Sequence, residues 1–425
     1  MSADLTHDRV SPLSAADIYA AAERIAGVVL RSPLQYSDRL SAITGARVYL
    51  KREDLQVVRS YKIRGAYNLL QQLRPEELKA GVVCSSAGNH AQGFALACRL
   101  MGVRGRVYVP AKTPKQKRDR IRYHGGEFIE LIVGGRSYDE AAAAALEDVA
   151  RTGATLVPPY DDLRTIAGQG TIAVEILDQL DTEPDLVVAG IGGGGCISGM
   201  TTYLAQCTGK TTLLGVEPAG AASMMAALAA GEPVDLDHVD QFVDGAAVKR
   251  AGALPYQLLS MAGDVVSVIS VDEGAVCTAM LDLYQNEGII AEPAGALSVA
   301  GLLETEVEPD STVVCLISGG NNDVSRYGEV LERSLVHLGL KHYFLVDFPQ
   351  EPGALRRFLD DVLGPNDDIT LFEYVKRNNR ETGEALVGIE LGSAADYDGL
   401  LARMDDSGMH VEALEPGSPA YRYLT

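Results

Sequence analysis

Hydrophobic positions follow two periods along the first 335 residues of the chain. Short β-branched runs, each ending near glycine or a polar turn, alternate with alanine-rich stretches of helical period. The β-branched runs are VYL (48–50), VVC (82–84), RVYVP (106–110), DLVVAGI (185–191), TLLGVE (212–217) and TVVCLIS (312–318). Strands that alternate with helices predict βαβ units and a largely parallel sheet. Ligands of such sheets bind outside the carboxyl ends of the strands, so site residues are expected in the loops that follow these runs.

A different pattern begins near Lys341. The runs HYFLVDF, ITLFEYV, ALVGIEL and MHVEAL are typical of strands, and EPGALRRFLDDVLG and SAADYDGLLARMDDSG are typical of helices. The predicted order is βαββαβ, a split βαβ sandwich. This segment lacks cysteine, and its histidines lie in strand runs, so we expect binding or assembly there. We predict domains at 1–335 and 340–420, with a smaller subdomain, roughly 50–160, inserted in the first.

Composition excludes several functional classes. A chain of 425 residues with 47% hydrophobic and 22% charged residues can bury more than one core. The net charge of −21 disfavours nucleic acids and membrane surfaces, which both require clustered basic residues. The six cysteines form no CxxC pair, so we expect reduced thiols. No signal peptide or membrane span is predicted, and we expect a cytoplasmic protein.

The segment KREDLQVVRSYKIRGAYNLLQQL (51–73) contains a candidate catalytic lysine. Ser60 is predicted to cap a helix over 61–73, which places Lys62 in its first turn. The helix dipole and the neighbouring Arg59 and Arg64 would disfavour the ammonium form, and a Schiff-base lysine requires such a lowered pKa. Taken alone, a lysine in a first turn is more often a solvated surface charge.

Two glycine-containing turns follow strand runs. SSAGNHAQG (85–93) can direct backbone N–H groups and the Ser86, Asn89 and His90 side chains at a carboxylate, although an ordinary capped turn has the same sequence features. GIGGGG (190–195) favours a backbone nest for a phosphate. GIGGGG also satisfies GxGxxG, the motif of dinucleotide-binding folds, and Glu217 lies where such folds place an acidic residue. A dinucleotide-binding fold would, however, leave Lys62 and the SSAGNH turn unexplained.

A third turn, CLISGGNND (315–323), follows the last strand run. The hydroxyl of Ser318 could meet a ring nitrogen there, and a plain polar turn is equally compatible with this fragment.

The blocks SYKIRGA (60–66), SSAGNHAQG, GGGG and AEPAGAL (291–297) occur in this order. Together they resemble the pyridoxal-phosphate enzymes of the tryptophan synthase β type, fold type II, and closely the threonine dehydratases (threonine ammonia-lyases). The resemblance covers essentially the whole chain. FPQEPGALRRFL and GPNDDITLFEYVKRNN resemble the ACT-like regulatory domain of the short biosynthetic form, which carries one such unit. The resemblance implies an α/β catalytic domain with two parallel-sheet subdomains and an α+β ACT-like domain.

The resemblance also implies a role for each candidate residue. Lys62 would hold pyridoxal 5'-phosphate covalently and, once freed, remove the α-proton of the substrate. Asn89 would bind the ring hydroxyl and Ser318 the pyridine nitrogen. The phosphate would lie on the backbone of Gly192, Gly193, Gly194, Gly195 and Cys196. The substrate carboxylate would be held, mainly by amides, at Ser86, Ala87, Asn89 and His90.

The activity implied is β-elimination of L-threonine to 2-oxobutanoate and ammonia, the first step of isoleucine biosynthesis. Serine would be a poorer substrate. The ACT-like domain implies feedback by isoleucine, with valine as a second effector, at the helix start formed by Pro352, Gly353 and Ala354, where backbone amides after Pro352 are free. The family suggests a homotetramer. A catabolic serine/threonine dehydratase, an NAD-dependent dehydrogenase using GIGGGG and an amino-acid sensor are the alternatives.

Two departures from the related serine racemases affect these expectations. Those racemases place a serine where this chain has Ala87, so we expect weak racemisation. They bind a divalent cation through a Glu and a later Asp. This chain has Glu217 at the first of these positions but Ser223 at the second. We therefore expect no divalent metal, with a monovalent ion at Glu217 as the alternative.

Overall fold

The computed structural model describes residues 11–374, 381–415, 418 and 421. The chain separates into two compact units, Met1–Asn322 and Asp323–Thr425. The predicted strand ITLFEYV extends one residue beyond the described part, and the end of the GPNDDITLFEYVKRNN motif also lies outside the described residues.

The strands of the first unit include all six of the predicted β-branched runs. They are β1 (Leu34–Tyr36), β2 (Arg47–Arg52), β3 (Val82–Ser85), β4 (Gly105–Val109), β5 (Ile129–Val133), β6 (Thr155–Leu156), β7 (Leu186–Gly190), β8 (Thr212–Pro218), β9 (Val266–Val271) and β10 (Thr312–Ile317). One sheet has the order β1-β2-β10-β7-β8-β9 and is parallel except for β1. The other has the order β5-β4-β3-β6 and is parallel throughout. The prediction of two parallel-sheet subdomains is confirmed.

The helices of the first unit cover these sheets. They are α1 (Ala15–Ile25), α2 (Asp38–Thr44), α3 (Lys62–Leu70), α4 (Pro75–Ala80), α5 (Asn89–Met101), α6 (Lys115–Gly125), α7 (Tyr138–Thr152), α8 (Leu163–Gln179), α9 (Gly195–Cys207), α10 (Ser223–Ala230), α11 (Ala253–Met261), α12 (Glu273–Glu287) and α13 (Pro293–Leu303). Strands β3 and β10 are buried along their whole length, as expected of parallel strands covered on both faces.

The topology brings three chain segments to one edge of the larger sheet. Strand β10 lies between β2 and β7 and is parallel to both. The segments that follow these three strands therefore emerge together at the carboxyl edge. They lead into Lys62, the glycine loop (residues 192–195) and Ser318, respectively.

The second unit has the predicted βαββαβ order, preceded by a helix. Its elements are α14 (Tyr327–His337), β11 (Lys341–Pro349), α15 (Ala354–Val362), β12 (Asp368–Tyr374), β13 (Thr382–Glu390), α16 (Tyr397–Asp406) and β14 (His410–Ala413). The described strands pair antiparallel in the order β12-β13-β11-β14. Phe344, Phe348 and Phe358 are buried between the sheet and its helices. The α+β prediction for this unit is confirmed.

In the described part of the chain, no helix has the length and apolar character needed to cross a membrane.

Candidate active site

Lys62 is the first residue of α3, and Tyr61 rather than Ser60 occupies the N-cap position. The prediction that Ser60 caps this helix was wrong. The backbone of Ser60 instead pairs with Gly319 in an antiparallel bridge, and its buried hydroxyl has no hydrogen-bond partner among the described residues. The start of α3 is thereby fixed to the segment that follows β10.

The Lys62 amine lies in an environment that disfavours its charge. Its Nζ donates a hydrogen bond to the carbonyl of Pro159 at 3.3 Å. Burial lowers the pKa of Lys62 to about 8, and Cys196 and Glu292 act in the opposite direction. The lowered pKa was predicted, but its assignment to Arg59 and Arg64 was wrong, because desolvation is the cause. About a fifth of this amine is therefore neutral near pH 7.4, far more than in a lysine of ordinary pKa.

Arg64 has no part in that shift because two carboxylates neutralise it. Its guanidinium lies 2.7 Å from both Glu53 and Glu175, and Glu175 also lies 2.6 Å from the Lys51 amine. The side chains of Lys51, Glu53 and Arg64 are completely buried. We call these four residues the buried ion network. It ties the first turn of α3 to α8 and to the end of β2.

The turn between β3 and α5 presents backbone amides rather than a histidine side chain. Helix α5 begins at Asn89, and its first amides lack a carbonyl one turn earlier. The His90 ring lies 2.8 Å from the carbonyl of Val157, so Nε2 carries the proton and donates it. Burial lowers the pKa of His90 to about 3, which keeps the ring neutral. The Ser86 hydroxyl accepts the Gly88 N–H at 3.3 Å.

The Asn89 side chain belongs to a chain of polar contacts that crosses the site. Its amide nitrogen donates to the carboxylate of Glu292, and its oxygen accepts from the Asn321 amide at 2.7 Å. The Asn321 amide also donates to the carbonyl of Val58 at 2.8 Å. Residues from three distant parts of the sequence therefore determine how the Asn89 amide is oriented.

The glycine loop has no room for side chains. A Cβ atom on Gly193 would lie 2.3 Å from the ring of Tyr160, and one on Gly194 would lie 2.6 Å from Met224 Cε. Gly194 also has a φ of 91°, in the left-handed region that favours glycine. Helix α9 begins at Gly195, so the bare backbone amides meet the positive end of a helix dipole. This arrangement fits a phosphate group.

Ser318 follows β10 and connects the other segments. Its hydroxyl donates to the carbonyl of Ala294 at 3.2 Å, and its own carbonyl accepts the Tyr61 N–H at 3.2 Å. Ser318 is 6% exposed, and its hydroxyl can turn its one hydrogen from the Ala294 carbonyl to a ring nitrogen that accepts it. A small aromatic ring with a nitrogen could be held here.

Glu217 has a structural use that its sequence position does not reveal. Its carboxylate accepts the backbone N–H groups of Met224 and Met225, both at 2.8 Å, at the start of α10. Burial raises the pKa of Glu217 to about 7. Within the described residues, no group of three His, Cys, Asp or Glu side chains could hold a metal ion. A role for Glu217 as a cation ligand stays a prediction.

Sequence reasoning missed three residues of this site: Tyr160, Glu292 and Asn321. Tyr160 lies across the glycine loop, and the other two orient Asn89. Glu292 carried a usable signal, because it is the only charged residue in the apolar stretch GIIAEPAGALSVAGLL. Tyr160 and Asn321 lie in polar turns and have no comparable signal.

Pyridoxal phosphate fits the arrangement as a whole. An amine with a lowered pKa, a backbone cradle for a phosphate, an oriented amide and a buried hydroxyl occur in one unit. Lys62 and Ser318 are joined through Tyr61, while Asn89 and Asn321 are in direct contact.

Comparisons with known proteins concern both units. Residues 25–319 match the family model for pyridoxal-phosphate dependent enzymes, and residues 332–424 match that for the C-terminal regulatory domain of threonine dehydratase. The biosynthetic L-threonine dehydratase IlvA of Mycobacterium tuberculosis is 82% identical over 428 residues, with 100% of both chains covered.

Two solved structures are similar to the chain in fold. The processed form of threonine deaminase isoform 2 from Solanum lycopersicum is 37% identical with a TM-score of 0.70, and the match covers 75% of this chain and 92% of that chain. Maize serine racemase is 31% identical with a TM-score of 0.69, covering 76% of this chain and 98% of that chain.

Proposed function

This chain belongs to the pyridoxal-phosphate-dependent enzymes and carries the regulatory domain of threonine dehydratases, and from that premise we propose how its residues perform the reaction. The reaction is the dehydration and deamination of L-threonine to 2-oxobutanoate and ammonia, with pyridoxal phosphate as the cofactor. When bound, the cofactor supplies an electron sink for the pair left by the broken α-C–H bond.

Lys62 performs two tasks in this proposal. Its amine holds the cofactor, and after threonine has displaced it the same amine takes the α-proton. The observation that carries the proposal is the pKa of about 8, because a neutral amine is required for both tasks. The glycine loop with the Cys196 amide holds the phosphate. Ser318 binds the ring nitrogen.

The turn after β3 holds the substrate in this proposal. The amides of the 86–90 segment bind the carboxylate of threonine, since His90 keeps its ring against Val157. Ala87 supplies no hydroxyl on this turn, so no side chain is available there to return a proton to the opposite face of the α-carbon. Elimination is therefore favoured over racemisation.

A substrate assay tests this function directly. The purified chain should release 2-oxobutanoate from L-threonine, and pyruvate from L-serine more slowly. Release of neither keto acid would contradict the proposal. A faster reaction with serine would favour the catabolic type of enzyme.

Replacing Gly193 with alanine should weaken cofactor binding. The new Cβ would lie 2.3 Å from the Tyr160 ring, so either the ring or the loop must move, at a cost of about 1–3 kcal/mol. Titration of the cofactor-free protein with pyridoxal phosphate measures the change in affinity. Gly209→Ala is the matched control, because a Cβ at Gly209 meets nothing within 4 Å. Equal affinities in the two variants would argue against the cradle.

Regulation by isoleucine is part of the same proposal. In the second unit, Gly353 has a φ of 89° and precedes the first helical residue of α15, Ala354. The first-turn amides that follow Pro352 can bind an amino-acid carboxylate. We place the effector there on the strength of these amides and of the regulatory-domain match. A cytoplasmic homotetramer, with valine as a second effector, is proposed from the family resemblance alone.

Gly353→Ala should reduce inhibition by isoleucine. Alanine disfavours the left-handed backbone, so the start of α15 should shift and the half-inhibiting concentration should rise about tenfold. The rate without isoleucine should stay at the wild-type value. Gly408→Ala carries the same backbone strain, with φ 68°, in the same unit and controls for it. Wild-type protein that does not respond to isoleucine would refute the proposed effector, and equal inhibition of both variants would refute its placement.

A further inference from the structure

We propose that Glu292 is a positioning residue: it fixes the Asn89 amide so that the remaining N–H of that amide serves the ring hydroxyl of the cofactor. The inference rests on the proposed function, because it assigns a partner to the Asn89 donor. It adds to the site a residue that does not itself bind the cofactor or the substrate.

The backbone around Glu292 is held rigidly. Its N–H donates to the carbonyl of Gly319 at 3.1 Å, and its carbonyl accepts from Gly295 at 2.8 Å. The residue is 5% exposed, and a Cβ on Gly319 would lie 2.3 Å from the carboxylate. The glycine at 319 therefore leaves just enough space for this acid, and the carboxylate has little freedom to move.

The Glu292 side chain is not used by its own helix. Glu292 occupies the N-cap position of α13, yet its carboxylate makes no capping hydrogen bond there. Short polar side chains such as that of aspartate ordinarily accept the first amides of a helix from this position. Here the carboxylate instead accepts a hydrogen bond from the Asn89 amide nitrogen, 203 residues away in sequence. A side chain that served only to cap α13 would accept the first amides of that helix and would not contact Asn89.

Donor and acceptor chemistry gives the amide a single orientation. The carbonyl of Val58 can only accept, so the Asn321 atom that contacts it is the amide nitrogen. The same nitrogen donates to Asn89, which must therefore present its oxygen on that side. The Asn89 nitrogen then faces Glu292 and uses one of its two N–H groups there. If the Asn89 amide were reversed, its oxygen would face the Glu292 carboxylate and its nitrogen would face the Asn321 nitrogen.

The positioning role does not depend on the charge of Glu292. Burial raises its pKa to about 7, with Asp244 adding to the rise and Asn89 and Lys117 opposing it. Both protonation states retain an oxygen that accepts from Asn89. A neutral side chain of the same shape, such as glutamine, should therefore preserve the orientation of the amide.

The test compares Glu292→Leu with Glu292→Gln in the full-length protein. Each cofactor-free variant is titrated with pyridoxal phosphate, and the absorption maximum of the bound cofactor is recorded. Leucine leaves one Asn89 N–H unpaired against an apolar side chain, and only the bond from Asn321 then orients the amide. Affinity should therefore fall at least about tenfold and the absorption maximum should shift. Glutamine should restore both to near wild type. With threonine, the leucine variant should lose kcat more than it changes KM.

Controls separate this inference from the proposed function. Glu273→Leu removes an acid that accepts the backbone N–H of Gly220, and it should leave the spectrum unchanged. If Glu292→Leu does not fold, Asn321→Asp removes the donor to Asn89 and should shift the absorption maximum. The inference would be overturned if the folded Glu292→Leu variant kept the wild-type affinity and spectrum. If Glu292→Leu does not fold, the same result in Asn321→Asp would overturn it. Wild-type protein that takes up no cofactor would overturn the proposed function instead.

Discussion

Lys62→Ala is expected to lower kcat for threonine at least about 10³-fold, since both the base and the attachment point of the cofactor are lost. The amine that performs these tasks has a pKa of about 8, against an ordinary value of 10.5. The neighbouring His90 is a poor replacement, because burial lowers its pKa to about 3 and its Nε2–H is bonded to Val157. The measurement is the initial rate of 2-oxobutanoate release with saturating pyridoxal phosphate.

Two further variants sharpen this prediction. Lys62→Arg keeps a positive charge but lacks a neutral amine at accessible pH, so it should be as inactive as Lys62→Ala. Lys79→Ala removes an exposed lysine from the last turn of α4 and should retain full activity. If Lys62→Ala kept more than about a tenth of the wild-type rate, Lys62 could not be the catalytic base.

Arg64→Met is expected to destabilise the first unit by about 3–5 kcal/mol, because it leaves buried carboxylates without their partner. The Arg64 guanidinium holds the pKa of Glu53 below its usual value even though Glu53 is fully buried. Methionine fills part of the space but donates no hydrogen bond. Denaturant-induced unfolding, followed by far-UV circular dichroism, measures the loss.

The control and the compensating variant distinguish charge from packing. Arg136→Met removes an arginine that is 93% exposed and pairs with Glu140 on the surface, so its effect should stay within about 0.5 kcal/mol. Arg64→Met combined with Glu53→Gln should be more stable than Arg64→Met alone, because one unpaired charge is removed. A double variant no more stable than the single one would show that lost packing, not the unpaired carboxylate, causes the effect.

Much of the fold could be predicted from local sequence signals. The β-branched runs form strands, and the alternation with helices predicts parallel sheets correctly. The four consecutive glycines indicated a backbone site, which agrees with the lack of space around Gly193 and Gly194. These features depend on residues close together in sequence, or on sterics that glycine alone satisfies.

Other features could not be predicted because they depend on distant parts of the chain. Ser60 has the chemistry of a helix cap, but pairing with Gly319 takes its backbone away from α3. Arg64 is near Lys62 in sequence, yet Glu53 and Glu175 neutralise it. The contact between Asn89 and Glu292 spans most of the catalytic unit. Each of these contacts joins residues that are distant in sequence and that only the folded chain brings together.

The likeness to maize serine racemase makes Ala87 informative. The two folds are similar at 31% identity, so the fold alone does not separate elimination from racemisation. Our proposal assigns the difference to the missing hydroxyl at position 87. The second unit matches the C-terminal regulatory domain of threonine dehydratase.

Borohydride reduction of the purified protein, followed by peptide mass mapping, tests the central claim most directly. The account predicts a yellow protein that bleaches on reduction, loses threonine dehydration and carries the mass of the reduced cofactor on the peptide containing Lys62. A colourless protein that binds NAD, or a label on another lysine with Lys62 unmodified, would contradict it.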